Sequence, residues 1–190
     1  MRLVLASASP RRRELLERLG VEFDVVPADV DESPRASEHP RAYVRRVAAA
    51  KASAVAADGD AIVLAADTTV DVDGQILAKP VDDDDARSML RSLSGRTHRV
   101  HTGVAMRRGD AREVVTDVVT TYVTMVPMTP ALVEWYVATG EPRDKAGAYA
   151  IQGAGAVLVE RVRGSVSNVV GLPLAAAVAL GQRLGFEMLR

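Results

Sequence analysis

Short apolar runs alternate along the chain with amphipathic stretches that have apolar residues at helical spacing. The first run, Leu3-Val4-Leu5-Ala6, is typical of a short buried strand, and a helix is predicted from Pro10 onward. Such alternation predicts an α/β fold. The pattern predicts strands at residues 3–6, 23–26, 61–72, 75–77, 97–106, 113–126 and 156–162. It predicts helices that begin at or next to Pro10, Pro40, Asp82, Pro130 and Pro173.

Glycine, proline and small polar residues mark the ends of these elements. Ser9 is a predicted N-cap followed by Pro10 at the first helical position, and Gly20 is the predicted stop of the same helix. The dipeptide Asp73-Gly74 predicts a hairpin turn, and a second turn is predicted near Gly109-Asp110. The sequence therefore predicts strands and helices joined by short connections.

Composition narrows the class of protein. The length of 190 residues suits one domain with a real core, and we expect a single domain over residues 1–190. The absence of cysteine excludes disulfides, thiolate metal sites and a cysteine nucleophile. No apolar run is long enough for a membrane helix or a signal-peptide core, so we expect a cytoplasmic protein that binds no membrane. A net charge of −1 disfavours broad nucleic-acid binding.

The start of the first helix carries an unusual charge pattern. Arg11, Arg12 and Arg13 lie in the first turn, where the helix dipole disfavours cations. Ser7 and Ser9 precede them with hydroxyl groups. The arrangement is explained if an anion, best a phosphate, binds at this helix terminus. Successive side chains diverge by about 100°, so we expect Arg13 to be a surface charge; the alternative is a basic surface turn with an ordinary Ser-Pro cap.

Two acidic positions are candidates for chemistry. Asp67 follows the apolar run Ile62–Ala66 at the end of a predicted buried strand, where a carboxylate is costly unless it is paired or binds a metal. Glu32 lies near Asp29 and Asp31, and with Asp67 it could supply the oxygen ligands that Mg²⁺ prefers. The alternatives are a turn aspartate at position 67 and solvated loop acids at positions 29 and 31.

Other motifs are weaker. Lys51 is alone in an Ala-rich helix and Lys79 precedes Pro80, and either could be an ordinary surface lysine. Asp71-x-Asp73-Gly74 lacks the acidic twelfth residue of a calcium loop. His98 and His101 do not have metal-ligand spacing. None of these motifs identifies a site by itself.

Six segments, in this order and spacing, together resemble the Maf family of nucleoside triphosphate pyrophosphatases along nearly the whole chain. They are Leu5-Ala6-Ser7-Ala8-Ser9-Pro10-Arg11-Arg12, Ala65-Ala66-Asp67-Thr68, Lys79-Pro80, Leu93-Ser94-Gly95-Arg96-Thr97-His98, Asp144-Lys145-Ala146-Gly147-Ala148-Tyr149-Ala150-Ile151-Gln152-Gly153 and Val170-Gly171-Leu172-Pro173-Leu174. One small departure is Ala150, where the family usually has glycine. The resemblance implies an inosine-triphosphatase-like α/β fold: an elongated mixed β-sheet flanked by helices, with two lobes around a central cleft. It also implies a homodimer.

The resemblance further implies hydrolysis of a nucleoside triphosphate between the α and β phosphates, with a divalent cation such as Mg²⁺ or Mn²⁺. Asp67 matches the proton acceptor that activates water, and Glu32 with Asp67 matches the metal site. The residues matched to phosphate binding are Ser7, Arg12, Lys51 and Lys79, and those matched to base specificity are Arg11, Thr68 and Gln152. The last three look like the dTTP/UTP branch of the family. Gln152 offers one donor and one acceptor, which suits the imide edge of thymine or uracil.

Three alternatives stay open at this point. The first is an enzyme of the same family that prefers 7-methyl-GTP or CTP. The second is a nucleotide-binding regulator of cell division without catalysis, which the four polar residues Asp67, Glu32, Lys51 and Lys79 disfavour. The third is an RNA-binding module, which the charge and the lack of an aromatic platform disfavour.

Overall fold

The computed structural model describes residues 1–109 and 111–189. Its strands are β1 (Leu3–Leu5), β2 (Phe23–Val25), β3 (Ile62–Val72), β4 (Gln75–Leu77), β5 (Thr97–Arg108), β6 (Val115–Met125) and β7 (Val159–Arg163). Its α-helices are α1 (Pro10–Glu17), α2 (Pro40–Ala54), α3 (Asp83–Leu93), α4 (Pro130–Ala138), α5 (Val166–Val170) and α6 (Leu174–Arg183). Short 3₁₀ helices cover Glu141–Asp144, Ala146–Ala148 and Gly153–Leu158. Among these residues, no helix combines the length and the apolar character needed to cross a bilayer.

The strands form one mixed sheet with the order β2-β1-β3-β5-β6-β7, and β4 pairs with β3. Strand β1 is parallel to both β2 and β3, whereas the β3–β4 and β6–β7 pairs are antiparallel. The mixed sheet, whose strands alternate with helices along the chain, confirms the predicted α/β class. The predicted cleft between two lobes and the single domain over residues 1–190 stay predictions.

Local sequence signals placed most elements correctly. Asp82 caps α3, because its carboxylate accepts a hydrogen bond of 2.8 Å from the Asp85 amide. Asp73-Gly74 forms the turn between β3 and β4, and Pro10 begins α1 as predicted. These signals are local, so they hold without knowledge of the tertiary contacts.

Two elements differ from the prediction. The strand predicted at residues 156–162 begins only at Val159, because the Gly- and Ala-rich segment Gly153–Leu158 forms a 3₁₀ helix instead. Gly153 has a positive φ of 68°, which turns the chain before the strand begins. Helix α5 was not predicted, since five residues are too few to show a helical period. The turn predicted near Gly109-Asp110 includes Asp110, which lies outside the described residues.

The chain divides into two compact units. The first comprises Met1–Asp67, Thr102–Val119 and Gly171–Arg190, and the second comprises Thr68–His101 and Thr120–Val170. The core of the first unit is built largely from small side chains of β1, β3 and α2. Its buried residues are Val4, Ala6, Ala48, Ala52, Val55, Ala57, Ala61, Val63, Ala65 and Ala105.

Helix α2 is fixed tightly within the first unit. A Cβ at Gly103 of β5 would lie 2.2 Å from the Val44 carbonyl oxygen, so the main chains of β5 and α2 meet at this glycine. The buried Arg107 donates to the carbonyl oxygens of Ala52 (3.0 Å) and Val55 (2.6 Å). These two carbonyls are at the C-terminal end of α2, where free acceptors need partners. The last turn of α2 is therefore held in place.

The second unit has a core of larger side chains. Helices α3 and α4 pack there with β6 and the 3₁₀ segments around Leu90, Leu93 and Tyr136. Tyr136 is fully buried, and its hydroxyl reaches the main chain of a neighbouring loop at Ala150 with a distance of 3.0 Å. The loop that contains Gln152 thus rests directly on the core of this unit.

Candidate active site

The start of α1 places one arginine inside the protein. Arg12 is buried, and its Nη1 donates to the Ser7 hydroxyl (3.0 Å) while its Nε donates to the Gly171 carbonyl (2.8 Å). The Ser7 oxygen also accepts from the amide of Ser9 (3.2 Å). Ser9 occupies the predicted N-cap position, but its hydroxyl caps no main-chain amide among the described residues. Ser7 and Arg12 are therefore in contact, as the phosphate-site prediction requires.

The other two arginines of the first turn behave differently. Arg13 is exposed and forms a salt bridge of 2.7 Å with Glu17, which confirms that it is a surface charge. Burial lowers the pKa of Arg12, and the carboxylates of Asp67 and Glu32 oppose this shift. The positive charge of the half-buried Arg11 lowers the pKa of Arg12 further. The cations and the acids of this region thus lie within electrostatic reach of one another.

A lysine bridges the two predicted acids. Lys51, in the last turn of α2, places its Nζ 2.9 Å from Asp67 Oδ1 and 2.8 Å from Glu32 Oε2. Lys51 and Asp67 are both buried, whereas the Glu32 side chain is 51% exposed. Asp67 Oδ2 is buried and has no hydrogen-bond partner among the described residues. One oxygen of a buried carboxylate therefore stays available to a ligand.

The surroundings of Asp67 change its acidity. Burial raises the pKa of Asp67, and the positive charges of Lys51 and Arg12 oppose this shift. The nearby negative charge of Glu32 adds to the increase. A carboxylate with a raised pKa is a better proton acceptor than an ordinary aspartate.

Asp67 and Glu32 could bind a divalent cation whose remaining ligands come from water and from the substrate. Within residues 1–109 and 111–189, no group of three His, Cys, Asp or Glu side chains could hold a metal ion. Mg²⁺ is commonly bound by one or two carboxylates, with waters and substrate phosphates supplying the other oxygens. Asp67, with its unpartnered buried oxygen, and the half-exposed Glu32 match that pattern. Asp29 and Asp31 are exposed, as expected for solvated loop acids.

Nearly the whole sequence matches one known protein family. The family model described as "Maf-like protein" matches residues 2–184. The chain belongs to the Maf family. Relatives named dTTP/UTP pyrophosphatase are 58% identical in Anaeromyxobacter dehalogenans (98% of this chain, 96% of the relative) and 54% identical in Myxococcus xanthus (98% and 94%). A third, from Methylobacillus flagellatus, is 50% identical over 97% of this chain and 93% of its own length.

Solved structures show a weaker similarity. A HAM1 protein from Coxiella burnetii has a TM-score of 0.45 and 16% identity, over 66% of this chain and 73% of the other. The Staphylococcus aureus Ham1 protein has a TM-score of 0.48 and 17% identity, over 66% and 72%.

Three positions that the Maf resemblance assigns belong to the second unit. Thr68 is half-buried in β3, immediately after Asp67. Lys79 is exposed in the segment that follows β4, and Gln152 is half-buried just before the 3₁₀ helix Gly153–Leu158. Their roles in phosphate binding and base selection stay predictions.

A buried polar cluster in the second unit was missed by sequence reasoning. Asp71 of β3 accepts from His101 Nε2 (2.9 Å) and from Arg99 Nε (3.1 Å), and its other oxygen accepts from the Gly74 amide (2.8 Å). The His101 ring also contacts the Thr120 hydroxyl at 2.9 Å. Asp71 therefore fixes the β3–β4 hairpin. The sequence signal that could have indicated this cluster is the position of Asp71, four residues after Asp67 and therefore on the same face of the strand.

Proposed function

We propose that this Maf-family protein hydrolyses dTTP and UTP to the nucleoside monophosphate and pyrophosphate. The observation that carries the proposal is the buried Asp67 carboxylate, which has one oxygen on Lys51 and one without a partner among the described residues. The names of relatives 50–58% identical to this chain support the choice of dTTP and UTP. In the cell, the enzyme would remove non-standard or surplus pyrimidine nucleotides.

The reaction needs a water molecule that attacks the α phosphorus. The Asp67 carboxylate takes the proton of that water as the new P–O bond forms. The bond between the α phosphorus and the oxygen that bridges to the β phosphorus breaks, and pyrophosphate leaves with the electron pair. Such a step depends mainly on positioning and on neutralising charge, so it needs cations more than it needs a strong acid.

The cations of the site would hold the phosphates. Arg12 is fixed by Ser7 and by the Gly171 carbonyl, so its guanidinium group has a defined orientation. Lys51 would exchange a carboxylate oxygen for a phosphate oxygen when substrate binds. A divalent cation held by Glu32 and Asp67 would neutralise phosphate charge and lower the pKa of the attacking water.

Base selection is the part of the proposal that depends most on the resemblance. The carboxamide of Gln152 would donate to one carbonyl of thymine or uracil and accept from the ring N3–H. Arg11 and Thr68 would complete the base site, and Lys79 would bind phosphate. We expect Gln152→Ala to relax the choice of base more than it slows turnover. A uniform loss of rate for all bases would contradict this role.

The first experiment identifies the products. Purified protein is incubated with dTTP or UTP and Mg²⁺ or Mn²⁺, and the products are separated by anion-exchange chromatography. We expect monophosphate and pyrophosphate in equal amounts. Primary release of orthophosphate would reject the assigned bond. Faster hydrolysis of 7-methyl-GTP or CTP in the same assay would indicate another branch of the family.

Matched variants test the site itself. Asp67→Asn should lower turnover by at least about a hundredfold while nucleotide binding persists; unchanged turnover would remove Asp67 from the mechanism. Glu32→Gln should raise the Mg²⁺ concentration required, because Glu32 shares Lys51 with Asp67. Asp31→Asn, in the same loop, should not, because Asp31 accepts from the Ser33 amide instead. Arg12→Lys should weaken triphosphate binding, and Arg13→Lys is its control at the neighbouring surface position.

Nucleotide binding by Asp67→Asn also addresses the non-catalytic alternative. A regulator of cell division would keep its cellular effect in this variant, whereas an enzyme would lose it.

As parts of the same proposal, the protein acts as a cytoplasmic homodimer on free nucleotides and binds neither nucleic acid nor membrane. Sedimentation of the purified protein measures the oligomeric state, and tight RNA binding at physiological salt would contradict the proposal.

A further inference from the structure

The loop that contains Gln152 is held by two polar side chains outside the residues assigned so far. The Tyr136 hydroxyl accepts a hydrogen bond of 3.0 Å from the Ala150 amide, two residues before Gln152. Glu141 Oε2 accepts one of 2.8 Å from the Gly155 amide, three residues after it. The main chain is thus fixed on both sides of Gln152.

The two side chains lie within electrostatic reach of each other. Burial raises the pKa of Tyr136, and the negative charge of Glu141 adds to this shift. The Tyr136 hydroxyl therefore stays protonated while it accepts the hydrogen bond from the Ala150 amide. We call this pair, Tyr136 and Glu141, the clasp.

Two glycines of the loop lie against the clasp. A Cβ at Gly153 would lie 2.1 Å from Glu141 Oε1, and Gly153 also has a positive φ of 68°. A Cβ at Gly155 would lie 2.3 Å from the Ala150 carbonyl oxygen and 2.6 Å from the Tyr136 hydroxyl. Glycine at these two positions therefore lets the loop lie close to both groups of the clasp.

We infer that Glu141 and Tyr136 are positioning residues for base selection, which orient the carboxamide of Gln152 by fixing the main chain at Ala150 and Gly155. This inference rests on the proposed function, because it gives Gln152 the task of selecting the base. Neither residue touches the base: each acts on Gln152 through hydrogen bonds to the main chain. A glutamine on a loose loop would lose its directional preference for the imide edge, while phosphate binding in the first unit would be unaffected.

The test compares the ratio of kcat/KM for dTTP to that for dCTP. We expect Glu141→Ala and Tyr136→Phe each to lower this ratio about five- to tenfold, mainly through the KM for dTTP. Tyr136→Phe keeps the buried ring, so it reports on the hydroxyl alone. Glu134→Ala is the matched control: this exposed glutamate of α4 pairs with Arg87 at 2.9 Å and should leave the ratio unchanged.

A double-variant comparison separates positioning from general damage. In a Gln152→Ala background, Glu141→Ala should change the ratio less than about twofold, because the group being oriented is gone. Hydrogen exchange should show faster exchange at the amides of Ala150 and Gly155 in Glu141→Ala. An equal loss of kcat/KM for both nucleotides, or an undiminished effect without Gln152, would overturn the inference. A wild-type protein that does not prefer dTTP over dCTP overturns the proposed function, and this is seen before any variant is made.

Discussion

Replacing His98 should change how stability depends on pH. The His98 ring is 3% exposed, and its Nε2 lies 2.8 Å from the Tyr149 hydroxyl, with the two rings edge to face at 5.3 Å. Its Nδ1 has no hydrogen-bond partner among the described residues. Burial lowers the pKa of His98 from 6.5 to about 4, and the charge of Asp71 opposes the shift only in part. The folded protein therefore contains a neutral His98.

The sign and size of the effect follow from this difference in pKa. Between pH 6.5 and 4 the unfolded chain binds a proton at position 98 that the folded protein does not bind. The stabilisation is thus complete above pH 6.5 and is lost as the pH falls toward 4. For these two pKa values, lowering the pH from 6.5 to about 4.5 should cost about 2 kcal/mol of unfolding free energy.

The assay is urea-induced unfolding of the wild type and of His98→Gln at several pH values between about 4.5 and 7.5. The variant should lose stability at pH 7, because the buried ring is gone, but its stability should fall less steeply below pH 6.5. The difference between the two pH slopes isolates the histidine from the carboxylates that both proteins share. Parallel slopes, or a His98 ring signal that titrates near pH 6.5 in the folded protein, would refute the reasoning.

Three further variants test packing and charge in the first unit, each by urea unfolding at pH 7. Gly103→Ala adds a methyl group 2.2 Å from the Val44 carbonyl oxygen and should cost at least about 2 kcal/mol; wild-type stability would contradict the close contact. Arg107→Met removes the buried donor of main-chain carbonyls and should cost about 2–4 kcal/mol, with faster amide exchange at the end of α2. Lys51→Met leaves two carboxylates without their cation and should cost about 1–3 kcal/mol. The cost is limited because one of the two, Glu32, is half-exposed and stays hydrated. Mg²⁺ should restore part of that last loss, and the absence of any Mg²⁺ effect would argue against a metal between the acids.

The parts of the site that could be predicted from sequence are those whose signal is local. A cation-rich first turn is unfavourable by itself, so Arg11–Arg13 indicated an anion site before any contact was known. Asp67 stood out because a carboxylate followed an apolar run, although the predicted end of the strand at this position is wrong, since β3 continues to Val72. Lys51 stood out because it is the one lysine of an Ala-rich helix. The structure brings Lys51 within hydrogen-bond distance of both Asp67 and Glu32, as the prediction of a shared site requires.

Partners that are distant in sequence could not be predicted. The Gly171 carbonyl that orients Arg12 is 159 positions away, and no local pattern connects a glycine of one segment with an arginine of another. The same holds for Glu141, whose acceptor role depends on the approach of a loop 14 residues further along. Sequence spacing specifies which side chains share a face of one element, but contacts between elements depend on how the whole chain packs.

In the proposed function, the charges of the first unit favour one more cation at the site. Arg12 and Lys51 balance Asp67 and Glu32, and Lys51 is already bound to both carboxylates. A triphosphate carries more negative charge than one divalent cation neutralises, so binding it adds net negative charge to a cluster that is neutral by itself. Burial lowers the pKa of Arg12 and the positive charge of Arg11 lowers it further, and a phosphate bound by Arg12 would relieve this repulsion. In the proposed function, a phosphate of the substrate bound at this helix terminus would offset the cost of placing arginines in the first turn of α1.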